Sequence, residues 1–440
     1  MNTENAPIPN RPQINPFYVG GAVSPDKFSG RRSDINTALD VIRNRLCLAI
    51  QGSSGMGKSS LLQYIASSQE PWKNRGLDYS QALIVFINCW EITPFTAIGF
   101  WELVLSSLQQ KAKDNLALQP VLEQTLGAGT YNIHQLRFLL SEIGKSKKFL
   151  LLLLDDFDAA LYPNASYTED EMRSFLSNFR SLATHGEEKD YLSVIVTSPK
   201  RLSEMGPKIE QGTSPWNNHY TYRYLKLFRD EEVSRWFQDL AQKFSIGWLL
   251  NLQAEIQKIS GGNPALIQNA GFLLYRAWQD KDIKTVLDFA IEFERANRPY
   301  FRAAWNQSTD DEKSLLKFLA LSRLEGRVNR KRKYTLDNVD TILSQKDREL
   351  RELEERSILR RYDNDEKISY EFASSIMEWW VVKELENSQN QPELAERELI
   401  FLNLSSKQVE QMKTITKQVW QYKDTAQSVI GWVGKLGGFF

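Results

Sequence analysis

Only two cysteines occur in 440 residues, Cys47 and Cys89. Both fall in apolar, strand-like runs, so a disulfide framework is excluded by count, and they read as small buried hydrophobes in a reducing compartment. Long hydrophobic runs are missing too. None approaches the roughly 20 residues that a membrane span needs, and the polar start MNTENAPIPN is not a signal peptide. These absences predict a cytoplasmic chain. An excess of charge of either sign is also lacking: 55 Lys and Arg balance 55 Asp and Glu. No global field therefore draws the chain to nucleic acid or membrane, and any such binding must be local. No internal repeat is present, which excludes a solenoid. What remains, 42% hydrophobic and 25% charged residues, is ordinary for a globular protein, and the length predicts two to four domains.

Along the chain the pattern changes several times. Residues 1–26 hold five of the fifteen prolines and little periodicity, which predicts an extended arm. The runs RLCLAIQ, ALIVFINC, KFLLLLLDDF, YLSVIVTS and YTYRYLKLF read as five strands alternating with helical segments over residues 27–229. The leucine run is continuous, as expected of a central parallel strand covered on both faces. The fold class that follows is α/β, a three-layer parallel sheet with phosphate chemistry at the carboxyl ends of its strands. From Arg229 to about residue 300 the pattern is wholly helical, predicting an α-helical lid over 230–300. Residues 301–390 then read as three short helices, a hairpin ILRRYDNDEKISYEF around its NDE turn, and a closing helix. That is a winged-helix order.

The chemistry starts at GSSGMGKSS. Gly52-x-x-x-x-Gly57-Lys58-Ser59 fits the P-loop pattern, and a predicted strand precedes it as a helix follows it. Residues Gly52, Ser53, Ser54, Gly55, Met56, Gly57, Lys58, Ser59 and Ser60 would cradle phosphate with their backbone N–H groups, where glycine permits close approach. Lys58 would reach the β- and γ-phosphates, and the Ser59 hydroxyl would ligate Mg²⁺. The second acidic strand end, LLLLLDDFD, supplies Asp155 for the Mg²⁺ shell and Asp156 to polarise an attacking water. Asp158 is the weaker candidate, since it could equally cap the next segment. Thr197 and Ser198 end the SVIVTS strand, where Thr197 could sense the γ-phosphate. Lys200 and Arg201 lie just beyond and could add charge near it. Farther on, GGNP (261–264) places a capping Asn263 and a first-turn Pro264 at the start of a lid helix.

Taken in order, FxGRRxDI before the P-loop, the acidic pair, a polar strand end followed by a base, GGNP in a helical lid, and LEERSILRR…ISYEFASSIMEWW resemble the STAND ATPases. These are signal transduction ATPases with numerous domains, a P-loop group near the AAA+ family, and the resemblance covers roughly residues 27–385. It implies an ATP/ADP switch, closed with ADP and self-associating with ATP, acting in signalling such as bacterial conflict or antiviral defence, with slow hydrolysis. It also implies that Gly30 and Arg31 lie near the adenine or ribose and that Pro264 packs on the adenine. Two departures stand out. Pro199 and Lys200 intervene before Arg201, and neither a repeat sensor nor a recognisable effector follows the winged helix.

The last segment, 391–440, predicts an amphipathic helix. Met412, Ile415, Val419, Tyr422, Ala426, Val429, Val433, Leu436 and Phe440 are spaced alternately three and four apart, as in a coiled-coil seam. It could dock on its own chain, self-associate or meet a protein partner. Its lysines, with Trp432, Phe439 and Phe440, also leave a peripheral membrane contact open. The stretch RLEGRVNRKRKY offers Arg327, Arg330, Lys331, Arg332 and Lys333 to DNA phosphates, but acids outnumber bases on the expected recognition helix KDRELRELEERS. A protein-facing winged helix is therefore preferred. The alternatives are an AAA+-like DNA-binding ATPase of the initiator or transposition-regulator type, and a nucleotide-binding adaptor that does not hydrolyse.

Overall fold

Each of the five apolar runs of the first half forms a strand. In the computed structural model, which describes residues 14–208, 214–281, 286–323, 339–364 and 367–387, these are β1 (Cys47–Gln51), β2 (Ala82–Asn88), β3 (Phe149–Asp155), β4 (Leu192–Ser198) and β5 (Tyr220–Tyr224). They pair in parallel in the order β2–β3–β4–β1–β5. All seven residues of β3 are buried, because helices cover both faces of the sheet. On one face Leu150, Leu152 and Leu154 join the buried side chains of helices 97–111, 133–145 and 169–184. On the other, helices α1 (Arg32–Arg43) and α2 (Lys58–Ser67) lie against the sheet strands. The order reverses at β1, where strands consecutive in sequence are parted, and such a switch point opens a crevice at the carboxyl ends. The fold is thus the expected α/β P-loop NTPase sheet, followed by a helix-rich second half.

The chain divides into two compact units, one of Ala22–Lys226 with Glu355–Ser357, the other of Met1–Gly21, Leu227–Glu354 and Ile358–Phe440. In the second unit, helices 230–244, 253–260, 264–280 and 286–306 are followed by helices 310–323, 339–344 and 347–355. An antiparallel hairpin, β6 (Leu359–Asn364) and β7 (Lys367–Phe372), and a helix over 375–387 close the described part. Trp236, Phe237, Tyr275, Phe293, Phe318, Trp379 and Trp380 share its core. The described end of the Pro-rich arm belongs here as well. Phe17 is buried in that core, against Gly271 on helix 264–280, where a Cβ would meet the Phe17 ring at 2.2 Å. Tyr18 donates its backbone N–H to Gln268 at 2.9 Å. The basic stretch holding Arg327, Arg330, Lys331, Arg332 and Lys333 lies outside the described residues, as does the seam from Met412 to Phe440. No helix among the described residues is long and apolar enough to cross a membrane.

The GGNP segment is a tight joint within this second unit. Gly261 and Gly262 both hold positive φ, at 61° and 76°. A Cβ on Gly261 would stand 2.4 Å from the carbonyl oxygen of Ala373, and one on Gly262 2.4 Å from that of Phe228. Arg360, on β6, donates to the Gly261 carbonyl at 2.9 Å. Gly262→Ala is therefore expected to destabilise the fold by about 2–4 kcal/mol, combining left-handed strain with backbone overlap. Denaturant unfolding of the variant beside wild type measures this.

Candidate nucleotide-binding site

Helix α2 starts inside the P-loop, at Lys58. Gly55 and Gly57 have φ of 81° and 83°, a conformation that glycine adopts without the Cβ penalty, and they turn the chain so that α2 leads away from the loop. The loop is anchored at its start, where the Gly52 N–H donates to the Ser198 carbonyl at 3.2 Å, and in its middle, where Met56 is fully buried. Lys58 Nζ donates to the carbonyls of Gly52 at 2.7 Å and Ser53 at 3.3 Å. Burial pushes its pKa down, while Asp156, Asp155 and Asp158 push it back up. The ammonium is thus held over the loop among three carboxylates.

Asp155 ends β3, and Asp156 and Asp158 follow it. Asp155 is 2% exposed and accepts a hydrogen bond of 2.6 Å from the Thr197 hydroxyl. The same hydroxyl accepts the Asp156 backbone N–H at 2.9 Å. Thr197 is wholly buried at the end of the neighbouring strand, so its side chain braces both acidic residues. Asp156 occupies the left-handed region, φ 49° and ψ 48°, which is uncommon for a residue with a side chain and points to a functional constraint. Burial and the adjacent Asp155 raise its pKa, opposed by Lys58 and by a hydrogen bond from Asn88. That bond, Asn88 Nδ2 to Asp156 Oδ2 at 3.2 Å, identifies a site residue that sequence reasoning missed. Asn88 ends β2 directly opposite Asp155 in the register. The available signal was a polar residue closing the apolar run ALIVFIN.

The remaining candidates are distributed as follows. Arg31 is 5% exposed, and its guanidinium donates to the carbonyls of Lys226 at 2.5 Å and Met56 at 2.9 Å. It also pairs with Asp34 at 3.7 Å, and Asp34 in turn pairs with Arg223 at 2.6 Å. Arg31 thus ties the P-loop to the end of the β5 segment. Gly30, at φ 77°, precedes Arg31, itself left-handed at φ 58°, in the turn into α1. The Ser60 hydroxyl accepts the Val23 N–H at 3.1 Å, and Ser54 is exposed. The Ser53 hydroxyl donates to the Arg356 carbonyl at 2.5 Å, and one guanidinium nitrogen of Arg201, Nη2, donates to both carboxylate oxygens of Glu355. Pro264 belongs to the second unit, at the first position of helix 264–280, capped by Asn263.

A Mg²⁺ ion fits this donor set. The Ser59 hydroxyl in the first turn of α2 and the Asp155 carboxylate are hard oxygen donors, and Mg²⁺ takes few of these from protein while keeping waters and phosphate oxygens. Among the described residues no group of three or more His, Cys, Asp or Glu side chains is arranged to hold a metal ion.

Residues 42–205 match a family model described as AAA domain. Among solved structures, a Walker-type ATPase of Pyrococcus abyssi is similar with 15% identity and a TM-score of 0.53, over 83% of this chain and 99% of that one. The ORC2 protein of Aeropyrum pernix, solved in ADPNP and ADP complexes, is 12% identical with a TM-score of 0.46, over 93% and 97%. RuvB of Thermotoga maritima is 12% identical with a TM-score of 0.36, over 78% and 93%. At such identity the first likeness speaks to the fold alone. No curated protein matches the chain. Strand order, phosphate loop and acidic strand end agree with the first of these likenesses: the unit carrying the site has the fold of a P-loop NTPase, over residues that match the AAA domain model.

Proposed function

We propose that the protein is an ATP-dependent molecular switch of the STAND type, in which ATP and Mg²⁺ bind at the carboxyl ends of β1, β3 and β4. Lys58 would hold the β- and γ-phosphates, Ser59 and Asp155 the Mg²⁺, and Asp156 the attacking water. Hydrolysis would be slow and would reset the switch. The ATP form would self-associate and pass its state to a protein partner through the winged helix or the C-terminal tail, in signalling such as antiviral defence. Gly30 and Arg31 would lie near the nucleoside, with Arg31 acting by holding the loop through the Met56 carbonyl.

The observation that carries the proposal is the engagement of Ser53 and Arg201 by a three-residue segment, Glu355–Ser357, from far along the chain. Two groups suited to a terminal phosphate are thus taken up by a carboxylate and a carbonyl. The Arg201–Glu355 pair is half-exposed, 49% and 38%, and pairs of this kind contribute only about 0–1 kcal/mol. A triphosphate can therefore displace Glu355 at little cost, which is what a reversible latch requires. An acid-rich helix 347–355, with Asp347 and Glu349 in its first turn, speaks for a protein partner over DNA.

Mass photometry with ADP against a non-hydrolysable ATP analogue tests this. Wild type is expected to remain small with ADP and to associate with the analogue, and Glu355→Ala to associate already with ADP. Identical mass distributions for wild type in the two nucleotides would sink the switch.

A further inference from the structure

A third carboxylate, Asp158, follows the two assigned above in sequence. It lies in the 3-10 turn Phe157–Leu161, whose other four side chains are apolar and buried. Asp158 itself is 8% exposed, and one of its carboxylate oxygens, Oδ1, has no hydrogen-bond partner. The charges acting on it are Asp156, Lys58 and Asp155, so it lies within electrostatic reach of the proposed water-polarising residue. Tyr162 and Cys89 also feel its charge. Burial, followed by the repulsion of Asp156, lifts its pKa to about 6.

A buried carboxylate oxygen left unpaired destabilises a fold, and a like charge nearby adds to the penalty. The apolar side chains of the turn offer nothing that recovers that penalty. Unpaired polar groups of this kind are found where a ligand or a reacting molecule completes them. Proton acceptors work best when their pKa lies near the working pH.

We propose that Asp158 is a further catalytic residue of nucleotide hydrolysis, its free Oδ1 taking the hydrogen bond, and then the proton, of the attacking water, with Asp156 fixing that water from the other side. The water oxygen bonds to the γ-phosphorus as the bond from that phosphorus to the β,γ-bridging oxygen breaks. The electron pair leaves with ADP, and the water proton passes to Asp158 and is released to solvent with the products. This assignment rests on the nucleotide-hydrolysing site proposed above.

The test compares full-length wild type, Lys58→Ala, Asp158→Asn and Asp158→Ala in three measurements: phosphate release at saturating ATP and Mg²⁺, calorimetric ATP affinity, and thermal unfolding without nucleotide. Asp158→Asn is expected to lower kcat at least tenfold, to leave the ATP Kd within about twofold, and to raise the Tm, with Asp158→Ala lowering kcat likewise. A structural role would not join a higher Tm to a lower kcat. If wild type and Lys58→Ala release phosphate at the same rate, the site reading falls and the assignment with it. If they differ and Asp158→Asn turns over as wild type does, the assignment alone falls. A kcat loss in Asp158→Asn accompanied by a lowered Tm also overturns it.

Discussion

Phosphate release at saturating ATP and Mg²⁺ is expected to fall about a thousandfold when Lys58 is replaced by alanine. The side chain has two jobs, both visible in its surroundings. Its Nζ already lies within hydrogen-bond reach of the Gly52 and Ser53 carbonyls, so phosphate oxygens entering the loop meet a desolvated ammonium rather than a hydrated one. It also offsets the charge of Asp156, Asp155 and Asp158, each of which acts on it. Removing it leaves buried carboxylates facing one another. Asp156 and Asp158 have folded-state pKa values raised above the ordinary carboxylate value. Such groups support the fold most fully below their unfolded-state pKa, and that support is lost as pH rises through the folded value. Without Lys58 both shift further upward. The alanine variant should therefore gain more stability than wild type on acidification from pH 8 to pH 6, as thermal unfolding at the two pH values will show.

Thr197→Val carries the second large effect. Valine keeps the shape and removes the hydroxyl, which leaves the Asp155 carboxylate without its 2.6 Å donor and the Asp156 N–H without its 2.9 Å acceptor. Both losses fall where water does not compensate, since Thr197 is wholly buried and Asp155 nearly so. An unsatisfied buried group costs about 1–3 kcal/mol, and more when charged, so about 3–5 kcal/mol of stability should go. Turnover should fall by about a hundredfold as the Asp155 carboxylate and the left-handed Asp156 lose their shared brace. Thr197→Ser returns the hydroxyl and should restore most of both, as urea titration and phosphate release measure. A valine variant as stable and active as wild type would mean that the hydroxyl braces nothing.

Much of this arrangement was legible in the sequence because it is local. Five apolar runs became five strands since a parallel sheet covered on both faces leaves continuous hydrophobic stretches, and LLLLLDD carried its acids to the strand end by that logic. The P-loop was readable for the same reason, as a strand, glycines and a helix start within fourteen residues, 47–60. Contacts made across large sequence separation were not. Arg31 reaches the Lys226 carbonyl 195 positions away, and no periodicity in FSGRRSDI announces that its guanidinium serves backbone carbonyls. Thr197 was legible as a polar strand end, whereas its engagement with Asp155 depends on β4 lying beside β3. Asn88 entered the site through register alone, opposite Asp155. Asp158 read as a weaker site candidate that could equally be a cap, because the sequence does not announce that its turn is buried.

The left-handed backbone at Asp156 has a practical consequence for capturing a loaded complex. Asparagine tolerates that conformation better than other non-glycine residues and matches aspartate in size, so Asp156→Asn should fold as the natural chain does while losing the negative charge proposed to polarise the attacking water. Glutamate or glutamine there would add a methylene and a backbone preference that resists the bend. Of the dead variants available at this position, the amide one is the natural bait for freezing intact triphosphate in place.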